Sequence, residues 1–461
     1  MQKCLLISFD FPRFGYHKTS YAIACILARF YKSDIVDIEH YQYDLISYLS
    51  TPQKQIELII NNDFREKYFE KINNYSFVTL STYSWSENLV NLIIGIIRPV
   101  FKGKIILGGY EITALREEEL YKVYPGADYY LKGYVEKSLE QIFKNAVSDI
   151  VINEKPDDED FISPYLSGII PINENKIYWE SKKGCIYKCD FCEWGNATHK
   201  LRRINEDRIN KEIELFKKYN IQEINVLDGI FLTSNEDLIT LEKLLSIKKS
   251  KITLQMHFST IKNELGKEFL HICQKYKDRI SLEFGLQTIH KDEMEVLNRK
   301  NDIEQVKVIM KELKESSINY EISIIFGIPG QTVKSFRETI DFINENGCEK
   351  WRAFPLRLPN NSKMKKKKKE LGVKEHHGEH FPIEFVKESS TFNEVEWKKM
   401  YEIVKLHENI PPFCGDPIEK TIPIIDKITQ NYLFGGIKCI FRENITEITY
   451  KNNIKKSFFW M

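Results

Sequence analysis

Short apolar runs alternate with helical patterns along most of this chain, and this alternation limits the folds that it can adopt. The predicted strands of the first part are Cys4–Phe9, Asp34–Ile38, Ser76–Ser81, Lys104–Leu107 and Ala127–Leu131. Helical patterns such as Thr19–Tyr31 and Leu89–Val100 separate them. Buried strands separated by helices indicate a doubly wound parallel sheet. We therefore predict an α/β domain over residues 1–150.

A second series of strands and helices follows an acidic linker at Asn153–Asp160. Its predicted strands are Ile177–Ser181, Ile224–Leu227, Ile252–Phe258, Ile280–Phe284, Ile322–Phe326 and Trp351–Leu356. Strands joined in this way by helices form an open parallel barrel, which we assign to residues 165–362. The remainder, 363–461, is predicted to be a small and mainly helical region with helices near Phe392–His407 and Ile424–Tyr432.

Charge and cysteine usage exclude some classes of function. The formal net charge is +1, so no broad electrostatic attraction to nucleic acid is expected. Nine scattered cysteines argue against a disulfide framework and favour a reducing, cytoplasmic location. Met1 stands directly before a strand, which predicts no signal peptide. Leu89–Val100 is too short and too polar to cross a membrane.

Three closely spaced cysteines follow the first strand of the second series. Cys185, Cys189 and Cys192 form a Cys-x3-Cys-x2-Cys pattern in a loop that contains Gly184. Three thiolates at this spacing can bind three irons of a [4Fe–4S] cluster and leave the fourth iron open to another ligand. A structural zinc site is the alternative, with His199 as the nearest fourth ligand.

The spacing of these cysteines, with Phe191 directly before the last one, resembles the radical SAM (S-adenosylmethionine) enzymes. In that family the open iron binds the amino and carboxylate groups of SAM. An electron from the cluster then cleaves the sulfonium bond and gives a 5′-deoxyadenosyl radical. The resemblance extends from Ile177 to about Leu358 and implies an incomplete (β/α)6 barrel as the catalytic core.

The resemblance also implies which residues contact SAM. Phe191 is expected beside the adenine. Asp228 ends the second barrel strand, where the family places backbone that meets the SAM amino group. The family's usual pair of glycines with a glutamate is absent here, so Asp228 is expected to supply the polar contact. The other predicted contacts lie at later strand ends: Ser259, Glu283, Gln287, Gly327 and Gly330.

The N-terminal pattern resembles the cobalamin-binding sheet of B12-dependent radical SAM enzymes. Small residues at its strand ends would admit the corrin ring, namely Ser81, Gly108 and Gly109. Many cobalamin proteins carry Asp-x-His-x-x-Gly after the first strand, but here the matching residues are Asp10, Pro12 and Gly15. Proline has no donor atom for cobalt. Three alternatives stay open: the lower face of cobalt is empty or bound to water, His17 or another group replaces the missing histidine, or the domain has lost the cofactor.

Three further patterns have simpler interpretations. His376, His377 and His380 fit a zinc-peptidase spacing, but the glycine and proline beside them disfavour the helix that such a site needs. Lys363–Lys369 is typical of a solvated surface, with attraction of an acidic substrate as the alternative. Cys348 and Cys414 are expected to be buried and inert, with hydrogen donation to a radical as the alternative.

The sequence as a whole predicts a cytoplasmic radical SAM enzyme with [4Fe–4S], SAM and cobalamin as cofactors. The predicted reaction is methylation of an unactivated carbon in a small molecule or peptide, with flavodoxin or ferredoxin as electron donor and no nucleic-acid or membrane partner. A non-methylating radical SAM enzyme, which catalyses epimerisation, cyclisation or rearrangement, is the alternative. A non-catalytic iron–sulfur or zinc scaffold is the third possibility.

Overall fold

The computed structural model contains two parallel sheets of six strands each, followed by a smaller C-terminal region. It describes residues 1–12, 15–48, 51–155, 157–172, 175–192, 201–360, 362–377, 384–406, 437–442 and 445–450, the last two ranges as backbone only.

The first sheet is parallel throughout, with the strand order β2-β1-β3-β4-β5-β6. Its strands are β1 Gln2–Asp10, β2 Val36–Asp44, β3 Phe77–Ser81, β4 Lys104–Gly108, β5 Tyr129–Leu131 and β6 Val151–Ile152. Its helices are α1 Tyr21–Phe30, α2 Gln53–Phe64, α3 Glu87–Ile97, α4 Tyr110–Ala114, α5 Glu117–Val123 and α6 Glu136–Phe143. The predicted doubly wound sheet is confirmed, and β6 is a strand that the sequence analysis did not predict.

Helices cover both faces of this sheet, which explains why its strands are apolar without alternation. On one face, Leu5 and Ile7 of β1 pack in a core that also contains Ile60 of α2 and Ile93 of α3. On the other face, Cys4 packs in a core with side chains of α1 and α6. Helix α1 begins after Ser20, whose hydroxyl accepts a hydrogen bond from the backbone N–H of Ile23.

The second sheet is also parallel, with the order β14-β13-β12-β11-β10-β7, so β7 and β14 are its edges. Its strands are β7 Lys176–Trp179, β10 Glu223–Val226, β11 Lys251–Met256, β12 Ile280–Gln287, β13 Asn319–Phe326 and β14 Trp351–Pro355. Its helices are α7 Glu206–Tyr219, α8 Asn235–Leu245, α9 Glu264–Lys275, α10 Lys291–Val296, α11 Ile303–Glu315 and α12 Val333–Glu345. A short antiparallel pair joins β8 Lys182–Lys183 to β9 Arg202–Arg203. The predicted incomplete six-stranded barrel is confirmed.

Contacts along α1 and β8 join the two sheets on one side. The Tyr21 hydroxyl accepts a hydrogen bond from Nη2 of Arg208 in α7 at 3.0 Å. Nζ of Lys183 in β8 lies 4.9 Å from the ring centroid of Tyr134, which follows β5. Side chains of α1 therefore belong to the same apolar cluster as the barrel.

A second pair of contacts joins loops at the carboxyl ends of strands. Arg357, just after β14, donates a hydrogen bond to the Ser84 hydroxyl in the loop after β3. Asn360 donates to Glu111, which follows β4. The carboxyl-terminal edges of the two sheets therefore face each other, and ligands of parallel sheets bind at these edges.

The C-terminal region combines helices with antiparallel hairpins. Its elements are α13 Lys363–Lys366, β15 Lys374–His377, β16 Glu384–Glu388, α14 Glu394–Leu406, β17 Ile437–Arg442 and β18 Ile445–Tyr450. Helix α14 confirms the helix predicted near Phe392–His407, and the two hairpins were not predicted. The helix predicted at Ile424–Tyr432 lies outside the described residues.

A helix that crosses a bilayer must be both long and apolar. No helix within the described ranges combines the length and the apolar character of a membrane span.

Candidate active site

The three cysteines lie on one irregular loop between β8 and the end of the described segment at residue 192. Cys189 is buried, and Cys185 and Cys192 are partly exposed. The Cys192 N–H donates to the Cys189 carbonyl at 3.2 Å, and the Tyr187 N–H donates to Cys185 Sγ at 3.5 Å. Burial raises the pKa of the Cys185 thiol, with the Cys189 thiol as a nearby contributor.

The donor chemistry of this loop fits a cluster. Among the described residues, no three His, Cys, Asp or Glu side chains converge closely enough to hold a single metal ion. A cubane cluster takes its thiolates at separate corners, so its ligands need not converge on one point. His199, the ligand considered for zinc, lies outside the described residues.

A segment after α10 holds the cysteine loop in place. The Leu297 carbonyl accepts a hydrogen bond from the Asp190 N–H at 2.9 Å. Asn298 Nδ2 donates to the Lys188 carbonyl at 2.7 Å and to Asp190 Oδ1 at 3.0 Å. Arg299 Nη1 donates a hydrogen bond to Cys189 Sγ at 3.5 Å. A cation therefore stands beside one predicted cluster ligand, which the sequence analysis did not anticipate.

Ser259 belongs to a small polar group beneath the cysteine loop. The Tyr187 ring stacks on the His257 ring with centroids 4.2 Å apart. The Ser259 hydroxyl hydrogen-bonds to the Tyr187 hydroxyl at 2.5 Å and to His257 Nδ1 at 2.9 Å. Burial, assisted by the positive charge of Arg299, lowers the pKa of His257 to about 2. His257 is therefore a neutral imidazole at physiological pH.

The Asp228 carboxylate makes hydrogen bonds within the protein. It is completely buried, and its Oδ1 accepts the Ser181 N–H at 2.7 Å and the Lys182 N–H at 3.2 Å. Its Oδ2 accepts the Ser181 hydroxyl at 2.5 Å. Burial raises the pKa of Asp228 to about 6. Asp228 therefore fixes the turn after β7 with both carboxylate oxygens, and its contact with SAM stays a prediction.

Glu283 and Gln287 lie on β12 and are both buried. Glu283 accepts a hydrogen bond from Gln255 of the neighbouring strand β11. Gln287 has a left-handed backbone with φ of 71°, and its Nε2 is a buried donor without a hydrogen-bond partner among the described residues. An unsatisfied buried donor is costly, so Gln287 fits a site that receives an acceptor group from a ligand.

The turn after β13 is shaped by the C-terminal region. Gly327 has φ of 85°, and a Cβ at this position would approach the Val386 carbonyl of β16 to 2.9 Å. The Gly330 N–H donates to the Thr391 hydroxyl at 3.1 Å. Packing against β16 therefore explains why position 327 needs a glycine, and contact of this turn with adenine stays a prediction. Phe191 is buried in the barrel core, and its place beside adenine likewise stays a prediction.

Four of the predicted cobalamin residues lie at the carboxyl edge of the first sheet. The fifth, Gly15, lies in the loop after β1 and is close to the barrel. Ser81 Oγ is buried without a hydrogen-bond partner among the described residues. Gly109 has φ of 129°, and a Cβ there would collide with the Thr82 carbonyl. Gly108 directly precedes it at the end of β4. Gly15 lies against Lys176 of β7, where a Cβ would stand 3.3 Å from the lysine side chain.

Asp10 is engaged in a buried hydrogen-bond chain. The Ser8 hydroxyl donates to Asp10 Oδ2 at 2.6 Å and contacts His40 Nε2 at 2.9 Å. Burial raises the pKa of Asp10 to about 6 and lowers that of His40 to about 4. Asp10 therefore has an internal partner, and its contact with cobalamin stays a prediction.

Aromatic side chains at the same edge were missed by the sequence analysis. Tyr83 and Trp85 stack with centroids 4.5 Å apart, and Trp85 Nε1 donates to the Phe9 carbonyl at 2.9 Å. The signal was available, since both residues directly follow a strand end at which small residues had been noted.

Comparison with known proteins identifies the barrel segment. Residues 179–343, which include the three cysteines, match the Radical SAM superfamily. The matched segment, which holds the cysteine loop and most of the barrel, is therefore a radical SAM domain. The cofactors of this superfamily are a [4Fe–4S] cluster and SAM, and the cysteine loop described above matches the cluster.

The similarity to curated relatives is low and covers only part of the chain. The cobalamin-dependent radical SAM methyltransferase TokK of Streptomyces tokunonensis is 22% identical over 306 residues, which is 59% of this chain and 45% of TokK. The 2-(S-pantetheinyl)-carbapenam-3-carboxylate methyltransferase of Streptantibioticus cattleyicolor is 26% identical over 199 residues, 40% of this chain and 29% of the relative. The chain thus matches less than half of the length of either relative.

Two solved structures share the fold of this radical SAM protein. The cobalamin-dependent SAM radical enzyme OxsB, solved with aqua-cobalamin and SAM, aligns with a TM-score of 0.62 and 12% identity over 94% of this chain and 69% of OxsB. The radical SAM methyltransferase TsrM of Kitasatospora setae aligns with a TM-score of 0.61 and 13% identity over 82% of this chain and 79% of TsrM. The fold of the chain is therefore that of radical SAM proteins with an additional N-terminal sheet.

Of the remaining sequence motifs, the lysine run meets the cysteine loop, because Lys363 Nζ lies 3.5 Å from Asp190 Oδ1. His376 lies on strand β15 and hydrogen-bonds to Glu388 at 3.2 Å, whereas His380 lies outside the described residues. Cys348 is buried, and burial raises the pKa of its thiol to about 11. Its predicted inert role agrees with this environment. Cys414 lies outside the described residues.

Proposed function

We propose that this protein is a cobalamin-dependent radical SAM methyltransferase that acts on an unactivated carbon. The observation that carries the proposal is the meeting of two carboxyl-terminal edges: the cysteine loop lies at the barrel edge, and the small residues predicted for cobalamin lie at the facing edge of the first sheet. TokK and TsrM support it, since both are methyltransferases of the radical SAM type and TokK is cobalamin-dependent.

In this proposal Cys185, Cys189 and Cys192 hold three irons of the cluster. When bound, the cluster supplies the electron that cleaves SAM, and cobalamin supplies the methyl group. Gln287 offers its buried amide N–H to SAM, because that donor has no partner among the described residues. The other proposed SAM contacts are Phe191, Asp228, Ser259, Glu283, Gly327 and Gly330. Asp10, Ser81, Gly108 and Gly109 remain proposed for cobalamin, with Gly15 in the adjoining loop.

The loops that join the two edges would exclude water from the space between them. The hydrogen bonds of Arg357 with Ser84 and of Asn360 with Glu111 close one side of that space. The Tyr134 ring over Lys183 closes another. Exclusion of water protects reactive species and strengthens local electrostatics.

The finer assignments are proposals of the same kind. We assign residues 1–150 to cobalamin, 165–362 to the SAM chemistry, and 363–461 to a C-terminal unit that supports the barrel. The proposed substrate is a small molecule or peptide, the electron donor is a flavodoxin or ferredoxin, and the location is the cytoplasm.

The test is anaerobic incubation of cluster-loaded protein with corrinoid, SAM and a reductant, followed by product analysis. The proposal expects 5′-deoxyadenosine together with S-adenosylhomocysteine, and a corrinoid absorption spectrum that stays with the protein through gel filtration. Formation of 5′-deoxyadenosine without bound corrinoid or S-adenosylhomocysteine would instead support the non-methylating alternative. Cluster-loaded protein that forms neither product would support the scaffold.

A further inference from the structure

We propose that Glu293 is a positioning residue for SAM, which it serves by fixing two loops predicted to contact that cofactor. The inference rests on the proposed function. Glu293 lies in the first turn of α10, on a stretch of sequence that looks like an ordinary charged surface helix, Lys291–Val296. Glu293 is nevertheless only 1% exposed. A carboxylate is rarely buried to this extent unless its oxygens are bound.

The Glu293 carboxylate binds donors from three separate segments. Its Oε2 accepts the Thr288 hydroxyl at 2.5 Å, in the loop directly after β12. The same oxygen accepts Gln331 Nε2 at 3.2 Å, at the end of the turn after β13. Its Oε1 accepts the Ser335 hydroxyl at 2.6 Å, in the first turn of α12. One side chain thus ties together the carboxyl ends of two neighbouring barrel strands.

Gln331 transmits this link to the glycine turn. Its Oε1 accepts the Gly327 N–H at 2.8 Å, and its Nε2 also donates to the Ile325 carbonyl at 3.2 Å. Gln331 is completely buried, so these bonds have no competition from water. The position of the Gly327 backbone therefore depends on Glu293 through one intervening side chain.

Thr288 transmits the link to the other predicted SAM loop. It directly follows Gln287, whose left-handed φ of 71° is unfavourable for a residue with a side chain. Such backbone conformations persist only where the surrounding structure holds them, and they cluster at ligand sites. The bond between Thr288 and Glu293 is one such restraint, and Thr288 is itself completely buried.

Both side-chain oxygens of Glu293 act as acceptors, because all three partners donate hydrogen bonds to them. In Glu293→Gln the side chain keeps its size, but one oxygen becomes an NH2 group that faces a donor. At least one loop then loses its bond to this side chain. We expect the SAM concentration at half saturation to rise about tenfold, which is the effect of losing roughly one hydrogen bond to a charged group.

The experiment uses reduced, cluster-loaded full-length protein under anaerobic conditions. SAM is titrated while the electron paramagnetic resonance (EPR) spectrum of the cluster is followed, and thermal unfolding is recorded in parallel. The matched control is Glu212→Gln, since Glu212 is also completely buried and accepts Trp179 Nε1 at 2.8 Å, but lies on α7 away from both loops. Thr288→Val is a second variant, which removes one donor without removing the carboxylate.

The expected result is a raised SAM midpoint in Glu293→Gln and Thr288→Val, with iron content and the SAM-free spectrum unchanged, while Glu212→Gln keeps the wild-type midpoint. If Glu293→Gln does not take up a cluster, Thr288→Val alone decides. The inference is overturned if Glu293→Gln keeps the wild-type SAM midpoint, or if Thr288→Val does so when Glu293→Gln lacks a cluster. An equal shift of the SAM midpoint in Glu212→Gln also overturns it. A wild-type cluster spectrum that ignores SAM contradicts the proposed function instead, and so is a separate outcome.

Discussion

Arg208 offers the sharpest test of how the two sheets are held together. This side chain is 9% exposed and makes three hydrogen bonds in three directions. Its Nε donates to Glu212 Oε1 at 3.1 Å, its Nη1 to the Phe161 carbonyl at 2.9 Å, and its Nη2 to the Tyr21 hydroxyl at 3.0 Å. It therefore joins helix α7 to the linker segment and to helix α1 of the first sheet.

Replacement of Arg208 by methionine keeps much of the side-chain volume and removes the charge. Glu212, which is completely buried, then keeps only the Trp179 indole as a donor among the partners described above. Removal of one partner of a buried ion pair costs about 3–5 kcal/mol, because the remaining charge is left uncompensated. In the double variant Arg208→Met with Glu212→Gln no charge is stranded, so we expect about half of that loss to be recovered.

The assay is urea unfolding of wild type, both single variants and the double variant, with tryptophan fluorescence and circular dichroism as two probes. We expect the double variant to be more stable than Arg208→Met, with similar slopes of free energy against urea. If Arg208→Met lies within about 1 kcal/mol of wild type, or if the double variant is the less stable of the two, the buried pair does not hold the sheets as we describe.

Three further predictions concern single positions. Burial raises the pKa of Asp10, so wild type loses up to about 3 kcal/mol of stability as pH rises from about 4 to 6, and Asp10→Asn should gain that amount relative to wild type. Urea unfolding of both proteins at pH 4 and pH 7 checks this, and an equal stability difference at the two pH values contradicts it. Gly109→Ala should lower the free energy of unfolding by about 1–3 kcal/mol, because of its positive φ and the clash of the new Cβ with Thr82, whereas Gly95→Ala in α3 has open space for a Cβ and should be neutral or stabilising. Thermal unfolding compares the two variants, and equal losses would refute the strain at position 109. Arg299→Gln should lower the reduction potential of the cluster, since it removes a positive charge 3.5 Å from Cys189 Sγ; an EPR-monitored redox titration measures this, and an unchanged or raised potential speaks against it.

The order of the strands and helices was predictable because buried strands and amphipathic helices carry local patterns. All six barrel strands were predicted, although β12 runs on to Gln287 and β13 begins earlier than predicted, at Asn319. The cysteine loop was predictable for the same reason, since its ligands lie within eight residues of one another in the sequence. The hairpin of β15 and β16 was missed, because its charged side chains resemble a solvated surface and its role depends on packing against the turn at Gly327.

The site residues were harder to predict because their environments come from distant segments. Asp228 is predicted to contact SAM, and its position at a strand end does not show that Ser181, 47 positions away, bonds to both of its oxygens. Glu293 was not singled out from the sequence, and one of its hydrogen-bond partners, Gln331, lies 38 positions later. A strand end tells which residues lie near a site, whereas the hydrogen-bond partners decide which of them are free to serve it.

The measurement that tests the central claim most directly is EPR of the reduced, anaerobically loaded protein with and without SAM. The account predicts a [4Fe–4S] signal that changes when SAM is added and that is lost when any one of Cys185, Cys189 or Cys192 is replaced by alanine. Bound tetrahedral zinc in place of iron, or a cluster signal that SAM leaves unchanged, would contradict it.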